Sequence, residues 1–193
     1  MKELLIVLLV VVVVGMLYNK VKDGSKYTTV ISTVNNQEYT VRKLPDKLNA
    51  ANKLAIINIS LSKLVDHVKK DKNRDKYKGI QQLVRKFDPD NLTENAPGGK
   101  YTAYSVNKGE QLSLCLRNVK DDTFIDDNTI YFVAIHELAH IMTDEVGHTT
   151  KFWSNMKYLL TKAHEIGIYM PVDYSKTPVN YCDQEINTTP YEF

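Results

Sequence analysis

The sequence contains little cysteine: Cys115 and Cys182 are the two in 193 residues, and no C-x-x-C pair occurs. Disulfide-stapled miniproteins and Cys-ligated zinc fingers need more cysteines at short spacing, so both classes are excluded. The two thiols could pair with each other. Reduced side chains in a reducing compartment are nevertheless the simpler expectation.

An excess of charge of one sign is also missing. Lysine and arginine number 25 against 23 Asp and Glu, a net charge of +2, and hydrophobic residues make up 43% of the chain. Nucleic-acid-binding domains usually carry a concentrated basic excess, so no nucleic-acid-binding module is expected. The length and the hydrophobic content instead suit one globular domain with attachments.

Charge is absent altogether from one stretch near the N-terminus, Leu4–Tyr18. A helix of this length spans about 22 Å, and Lys2, Lys20 and Lys22 could reach the two faces of a hydrocarbon core roughly 30 Å thick. A cleaved signal peptide is the rival interpretation, but no Ala-x-Ala-like cleavage site follows. We therefore predict a single-pass membrane anchor over residues 1–19.

The flanking charges weakly indicate on which side of the membrane the rest of the chain lies. Lys20, Lys22 and Lys26 outnumber Lys2 and the N-terminal amine. The positive-inside rule then places the bulk of the chain in the cytoplasm. Three Asn-x-Ser/Thr triplets match the glycosylation sequon, but such triplets arise by chance in an Asn-rich chain and do not decide the side.

Beyond the anchor, the spacing of apolar residues predicts both helices and strands. The predicted elements are, in order, a hairpin over Tyr27–Val34 and Glu38–Arg42, a long helix from Pro45 to Val68, a short helix over Ile80–Phe87, a loop from Asn91 to Lys100, strands near Tyr101–Val106 and Gln111–Arg117, a helix around residues 130–140, and a last helix from Thr150 to Ile166 with Trp153 in its buried stripe. His67 ends the long helix and is expected at the surface.

The strongest chemical signal is His-Glu-Leu-Ala-His at 136–140, within an apolar run typical of a buried helix. Residues four apart share a helical face, so His136 and His140 can bind one metal ion. Glu137 lies about 100° further round the helix and can reach a water at that metal without being a ligand. Asp127 or Asn128 can supply the N-cap of this helix.

The third ligand has to come from beyond residue 140. A metzincin would carry Gly at 143 and His at 146, but the chain has Thr143 and Val146, which excludes that class. Glu165 on a later helix would suit a gluzincin-like site. His148 is the better candidate, because Gly147 can end the metal helix in a left-handed turn that points His148 back toward the metal.

The 136–140 motif, Gly147-His148 and Phe152-Trp153 together resemble the WLM (Wss1-like) metallopeptidases and the related SprT/Spartan group. The resemblance implies that His136, His140 and His148 bind zinc and that Glu137 is the catalytic base. The Asn-, Lys- and Tyr-rich composition also resembles that of proteins from large DNA viruses. Known family members cut proteins crosslinked to DNA and carry DNA-binding attachments, of which this sequence gives no sign, so that substrate is not carried over.

The patterns and the resemblance together predict an α+β fold, mainly helical and zincin-like, with a small antiparallel sheet and a preceding transmembrane helix. The predicted units are an anchor at 1–19, a β-hairpin stalk at 20–44, a catalytic domain at 45–170 and a C-terminal tail at 171–193. In zinc peptidases the strand before the metal helix, here Gln111–Arg117, commonly offers its edge to an extended substrate. Tyr174 and Tyr181 in the tail are candidate oxyanion donors, although packing is the simpler role for each.

These observations predict a membrane-anchored zinc metallopeptidase that hydrolyses peptide bonds with a zinc-activated water and Glu137 as general base. The expected partners are a protein or peptide substrate and a host or virion membrane. The alternatives are a catalytically silent, membrane-bound zinc-binding module and a zinc amidase that acts on small substrates. An intact Glu137 argues against the first alternative, and an open groove in place of a deep pocket would argue against the second.

Overall fold

The computed structural model describes residues 26–72, 77, 79–96, 103–106 (the backbone alone for 104–106) and 111–193, together with residues 6, 9–12 and 14. Most of the predicted anchor, the start of the predicted stalk and the end of the loop predicted at 91–100 therefore lie outside the described residues. Within the described part of the chain, no helix is both long enough and apolar enough to cross a membrane.

From residue 26 onward the described chain is an α+β fold built around one hydrophobic core. Its helices are α1 (Lys47–Lys69), α2 (Gly79–Lys86), α3 (Asp127–Met142) and α4 (Thr150–Glu165). Its strands are β1 (Tyr27–Ile31), β2 (Glu38–Arg42), β3 (Leu92–Asn95), β4 (Ala103–Val106), β5 (Gln111–Cys115), β6 (Val179–Tyr181) and β7 (Gln184–Ile186).

The main sheet has five strands in the order β1-β2-β3-β5-β4 and is mixed, so the prediction of an antiparallel sheet is wrong. β3 pairs in parallel with both β2 and β5, whereas the β1–β2 and β4–β5 pairs are antiparallel. Strand β3 lies where a loop was predicted. Its sequence, Leu-Thr-Glu-Asn, alternates buried and half-buried residues, but the second buried residue is Glu94, whose charge hides the strand pattern.

Strand β5 lies inside the sheet, between β3 and β4. Both of its edges are already hydrogen-bonded, so the prediction that residues 111–117 offer an edge to substrate is wrong. Strand β4 is one of the two edge strands, and its outer side pairs with no other described strand. Four successive residues of β5 are buried, because both faces of this strand are covered: Leu112, Ser113, Leu114 and Cys115.

The hairpin formed by β1 and β2 belongs to the main sheet. Tyr39 and Val41 on β2 are buried in the core, and the Arg42 backbone N–H donates to the Glu94 carboxylate of β3 at 2.7 Å. Thr40 pairs with Thr93 across the parallel junction. The hairpin that was predicted as a stalk therefore packs as an integral edge of the folded unit.

The short helix α2 lies close against the C-terminal end of α3. A Cβ atom added at Gly79 would overlap the Met142 carbonyl, so glycine permits this close approach. The Gln82 side chain donates to the Ile141 carbonyl at 2.8 Å and satisfies one of the free carbonyls at the helix end. These two contacts fix the end of α3 from which the chain turns back.

The C-terminal strands β6 and β7 form a hairpin that is joined to the main sheet by a Cys115–Cys182 disulfide, with the two Cα atoms 6.2 Å apart. The expectation of reduced thiols is therefore wrong. A separation of 67 residues gave the sequence no local signal for the pairing. The bond connects two buried residues, one on β5 and one in the β6–β7 turn.

A buried ion cluster lies beside the sheet. The Arg117 guanidinium is 1% exposed and donates to Glu94 on β3 at 2.9 Å and to both carboxylate oxygens of Asp46 before α1 at 2.7 and 2.9 Å. Burial raises the pKa of Glu94 despite the neighbouring arginines, whereas the hydrogen bonds from Arg117 lower the pKa of Asp46. The cluster therefore connects the sheet, the start of α1 and the strand exit at residue 117.

We expect Arg117→Met to reduce the free energy of unfolding by about 3–5 kcal/mol, because it removes the guanidinium that pairs with the buried Glu94 carboxylate. Urea denaturation of the single variant and of Arg117→Met/Glu94→Gln measures the effect. The double variant should recover much of the lost stability, since it removes both buried charges. A double variant that is less stable than the single one would contradict this explanation.

Candidate metal centre

Helix α3 carries the His-Glu-x-x-His motif and begins one residue earlier than expected. Asp126, and not Asp127 or Asn128, is the N-cap, and its carboxylate accepts from the Thr129 backbone N–H at 3.0 Å. The Asn128 side chain exchanges two hydrogen bonds of 2.8 Å with the backbone of Met170, which follows α4. The start of the metal helix is thus fixed both locally and by the segment after the last helix.

The structure brings the imidazoles of His136, His140 and His148 together. Nε2 of His136 lies 3.2 Å from Nε2 of His140 and 3.1 Å from Nε2 of His148. The candidate ligand atoms of all three residues lie within 4.8 Å of one another. Three nitrogens that point at one place form a donor set for a single metal ion.

The turn that returns His148 to α3 differs in detail from the prediction. The helix ends at Met142, well before Gly147, and residues 143–147 form an exposed loop apart from the buried Thr143. Gly147 has φ of 86°, the left-handed conformation that was expected, and it directly precedes His148. Thr149 then caps α4 by accepting from the Phe152 backbone N–H.

A buried polar bridge sets the arrangement of α3 and α4. The Thr143 hydroxyl donates to the Ala139 carbonyl at 2.7 Å, and the Asn155 side chain donates to the Thr143 hydroxyl at 2.9 Å. Thr143 and Asn155 are 0% and 4% exposed. Since a buried polar group is costly without its partner, this bridge fixes α4 against the end of the metal helix.

Phe152 forms the floor of the cluster. Its ring is fully buried, and its centroid lies 4.8, 4.3 and 4.7 Å from the rings of His136, His140 and His148. Trp153 was expected in the buried stripe of α4 but is 37% exposed, and its ring centroid lies 5.5 Å from that of His148. The stripe instead begins at Phe152, which lies four residues before the buried Met156.

Comparison with known proteins fits this arrangement. The model of the WLM domain family matches residues 61–184. The chain belongs to the WLM family. This is a family of zinc metalloproteases, so the fold and the His cluster are those of a metal-binding, protease-like protein.

The WLM chain has relatives in large DNA viruses. It is 36% identical to protein R325 of Acanthamoeba polyphaga mimivirus over an alignment of 179 residues. This alignment covers 92% of the present chain and 91% of the viral protein. It is 41% identical to protein 136R of Invertebrate iridescent virus 6 over 83 residues, an alignment that covers 42% of this chain and 44% of the viral protein. The crystal structure of Wss1 from Saccharomyces cerevisiae superposes with a TM-score of 0.50 at 24% identity, over 66% of this chain and 87% of that one, and shows the same fold.

Burial sets the protonation of the WLM site. Burial, together with the charges of His140 and His148, lowers the pKa of His136 to about 3. The imidazole is therefore neutral at pH 7, as a metal ligand must be. Glu137 is 7% exposed, and burial raises the pKa of its carboxyl to about 7.

The other candidates from the sequence lie elsewhere. Glu165 at the end of α4 pairs with Lys162 at 2.9 Å and lies 3.8 Å from His67, which is 40% exposed as expected. Tyr174 is 1% exposed and packs edge-on against Phe132 at 4.7 Å. Tyr181 is 2% exposed, so neither tyrosine reaches the open side of the cluster.

The buried Glu137 carboxylate should make the stability of the metal-free protein depend on pH. Its pKa is raised from about 4.5 to about 7, so the stability it contributes is present below pH 4.5 and is lost as the pH rises through 7. We expect Glu137→Gln to raise the unfolding free energy by about 3 kcal/mol at pH 8 and by about 1 kcal/mol at pH 5. Urea unfolding after EDTA treatment measures this, with the exposed Glu38→Gln as control. An equal gain at both pH values would contradict it.

Proposed function

We propose that this protein is a zinc-dependent peptidase in which His136, His140 and His148 hold the zinc ion and Glu137 is the general base. The observation that carries the proposal is the convergence of three Nε2 atoms beside a buried glutamate. The His-Glu-x-x-His pattern by itself is compatible with a helix that binds no metal. Three imidazoles, two of them with a ring nitrogen 3.1–3.2 Å from that of His136, are the arrangement that a metal site requires.

The donor set suits zinc. A tetrahedral zinc ion with Zn–N bonds of about 2.0–2.1 Å holds its nitrogens about 3.3–3.4 Å apart. The two shortest Nε2 separations, 3.1 and 3.2 Å, lie just below that value. Three histidines leave one tetrahedral position for water or substrate, which is the pattern of a catalytic site, whereas a structural site is closed by a fourth protein ligand.

Bound zinc supplies a Lewis acid that polarises the scissile carbonyl and lowers the pKa of water toward about 7. Glu137 follows His136 on the helix and takes the proton from the attacking water, then passes it to the leaving amine. A carboxyl pKa of about 7 suits both transfers near neutral pH. His136, His140 and His148 are packed on the Phe152 ring, which fixes their positions relative to Glu137.

The surroundings of the site favour a polypeptide substrate over a small amide. Residues 144–148 are all exposed, with Val146 at 90%, so the cluster opens on the protein surface. Strand β4 lies at the sheet edge beside α3, where an extended peptide could add as a further strand. An amidase for small substrates would need an enclosing pocket at this place.

The proposed activity is tested with the purified full-length chain in detergent, by measuring zinc content and cleavage of an unfolded protein. We expect one zinc per chain, and we expect Glu137→Gln to keep the zinc while it lowers the cleavage rate by a factor of roughly 10² or more. His148→Ala should lose zinc and activity together. His164→Ala, an exposed histidine near the end of α4, is the matched control and should retain both.

The outcomes separate the candidate functions. A wild-type chain without zinc would refute the proposal. A chain that binds zinc but cuts nothing, and whose Glu137→Gln variant behaves alike, would be a zinc-binding module. Cleavage of short amides without cleavage of proteins would establish the amidase.

We further propose that residues 1–19 anchor the peptidase in a membrane, so that its substrates are proteins close to a host or virion membrane. The support is the uncharged run Leu4–Tyr18 and the exposed apolar side chains of its described helical residues, among them Ile6, Leu9 and Val14. The lysines after the run favour a cytoplasmic domain. The Cys115–Cys182 disulfide favours the opposite side, because such bonds persist in oxidising compartments.

Expression in cells, carbonate extraction and protease protection test the anchor and its orientation. We expect the full chain to stay with the membrane pellet and a chain that begins at residue 20 to be released. A domain digested only after permeabilisation of the plasma membrane is cytoplasmic, and a domain digested from outside faces the oxidising space. Release of the full chain by carbonate would refute the anchor.

A further inference from the structure

The chain has a single tryptophan, and it lies at the edge of the His cluster. Trp153 is 37% exposed, although burial of its large apolar ring would be favourable. It follows Phe152 on α4, and the two ring centroids lie 5.1 Å apart at an interplanar angle of 77°. One residue of helix turns a side chain by about 100°. Phe152 therefore points into the core beneath the imidazoles, while Trp153 points along the surface beside them.

Trp153 and His148 form one continuous exposed surface. Their ring centroids lie 5.5 Å apart, and both residues are exposed. The other two histidines of the cluster, His136 and His140, are half-buried. The indole therefore lies beside the candidate ligand that faces solvent, on the open side of the cluster.

The two lysines nearest to Trp153 on α4 are both engaged in ion pairs. Lys151 pairs with Asp144 of the preceding loop at 2.7 Å, and Lys157, one turn after the indole, pairs with Glu192 at 2.5 Å. A lysine that already has a carboxylate partner is less available to an acidic ligand. The apolar face of the indole is therefore the main feature that this surface offers to a substrate side chain.

Contacts from the core already hold His148 in place. Its ring centroid lies 4.7 Å from that of the buried Phe152, and the left-handed Gly147 directly precedes it. Thr149, the next residue, caps α4 by accepting from the Phe152 backbone N–H. These contacts fix the position of the imidazole from the inner side. The exposed part of the indole thus has no task in holding it.

We propose that Trp153 is a specificity-determining residue, whose exposed indole forms the wall of a subsite for a large aliphatic or aromatic side chain next to the scissile bond. Contact between the two removes apolar surface of both partners from water. Folded proteins bury most side chains of this kind, so the substrate class is an unfolded polypeptide segment that exposes them. The inference rests on the proposed peptidase function.

The first test measures binding and does not need catalysis. Because Trp153 is the only tryptophan, the tryptophan fluorescence of the full-length chain reports on this surface alone. The zinc-loaded Glu137→Gln chain in detergent is titrated with host peptides of Gly, Ser and Ala that carry one Phe, Leu or Lys or no guest residue. We expect a saturable change in emission with the Phe and Leu peptides, and binding of the unsubstituted peptide that is weaker by roughly tenfold or more.

The second test measures cleavage of the same peptides by the wild type, Trp153→Ala and Trp153→Phe. We expect Trp153→Ala to lower kcat/KM for the Phe and Leu peptides by roughly tenfold or more, and to leave it within about twofold for the unsubstituted peptide. Trp153→Phe should keep most of the preference, because it retains an aromatic surface. Both variants should bind as much zinc as the wild type. Val119→Ala, which alters an equally exposed apolar residue after β5, is the matched control and should change neither quantity.

The two tests separate this inference from the proposed function. If the wild-type chain cuts no peptide, the peptidase function fails, and the titration still decides whether apolar side chains bind at Trp153. Loss of zinc in Trp153→Ala would mean that the indole holds His148, and would overturn the inference. A preference for the Lys peptide would assign recognition to the exposed carboxylates of Asp144 and Glu145 instead. Unchanged emission in the titration, or an equal loss of kcat/KM for every peptide, would likewise overturn it.

Discussion

The site depends on the packing of three imidazoles around one buried phenylalanine ring. Phe152 can occupy that position because α4 begins directly after the loop that carries His148. The bridge from Asn155 through Thr143 to Ala139 then holds α4 against the end of α3. If α4 moved away from the end of α3, His148 would separate from His136 and His140. His136 and His140 lie on α3, whereas His148 lies in the loop that follows it.

The rest of the fold supports this pair of helices from several sides. Helix α2 fixes the end of α3 through Gly79 and Gln82, and the segment after α4 fixes its start through Asn128. The sheet covers the helices, and the Arg117 cluster connects its central strands to the start of α1. The metal helix is therefore held at both ends by residues distant from it in sequence.

The local parts of this structure could be predicted from the sequence, and the non-local parts could not. Periodicity gave the helices to within a few residues, and a four-residue spacing put His136 and His140 on one face. The mixed sheet was missed because β3 buries a glutamate whose partner, Arg117, lies in another element. Strand β5 lies inside the sheet because it pairs in parallel with β3. Parallel neighbours are not joined by a tight turn, so the sequence carries no local signal for this pairing.

The same distinction applies to the site. His148 was found because a glycine precedes it, but the role of Phe152 required the packing of α4, and its neighbour Trp153 was expected in its place. The disulfide joins residues 67 positions apart, and neither cysteine lies in a recognisable pattern. The predicted domain boundaries at 19, 44 and 170 stay predictions, although the family match over 61–184 extends into the predicted tail.

The attachment of the β6–β7 hairpin also has a consequence for the order of biosynthesis. All three histidines and the glutamate leave the ribosome before Tyr181 and Cys182 do, so a nascent chain can gather the metal cluster while the hairpin is still in the exit tunnel. The last covalent link then forms only in a compartment that oxidises thiols. Assembly of the three histidines and formation of the disulfide are thus events that can be separated in time.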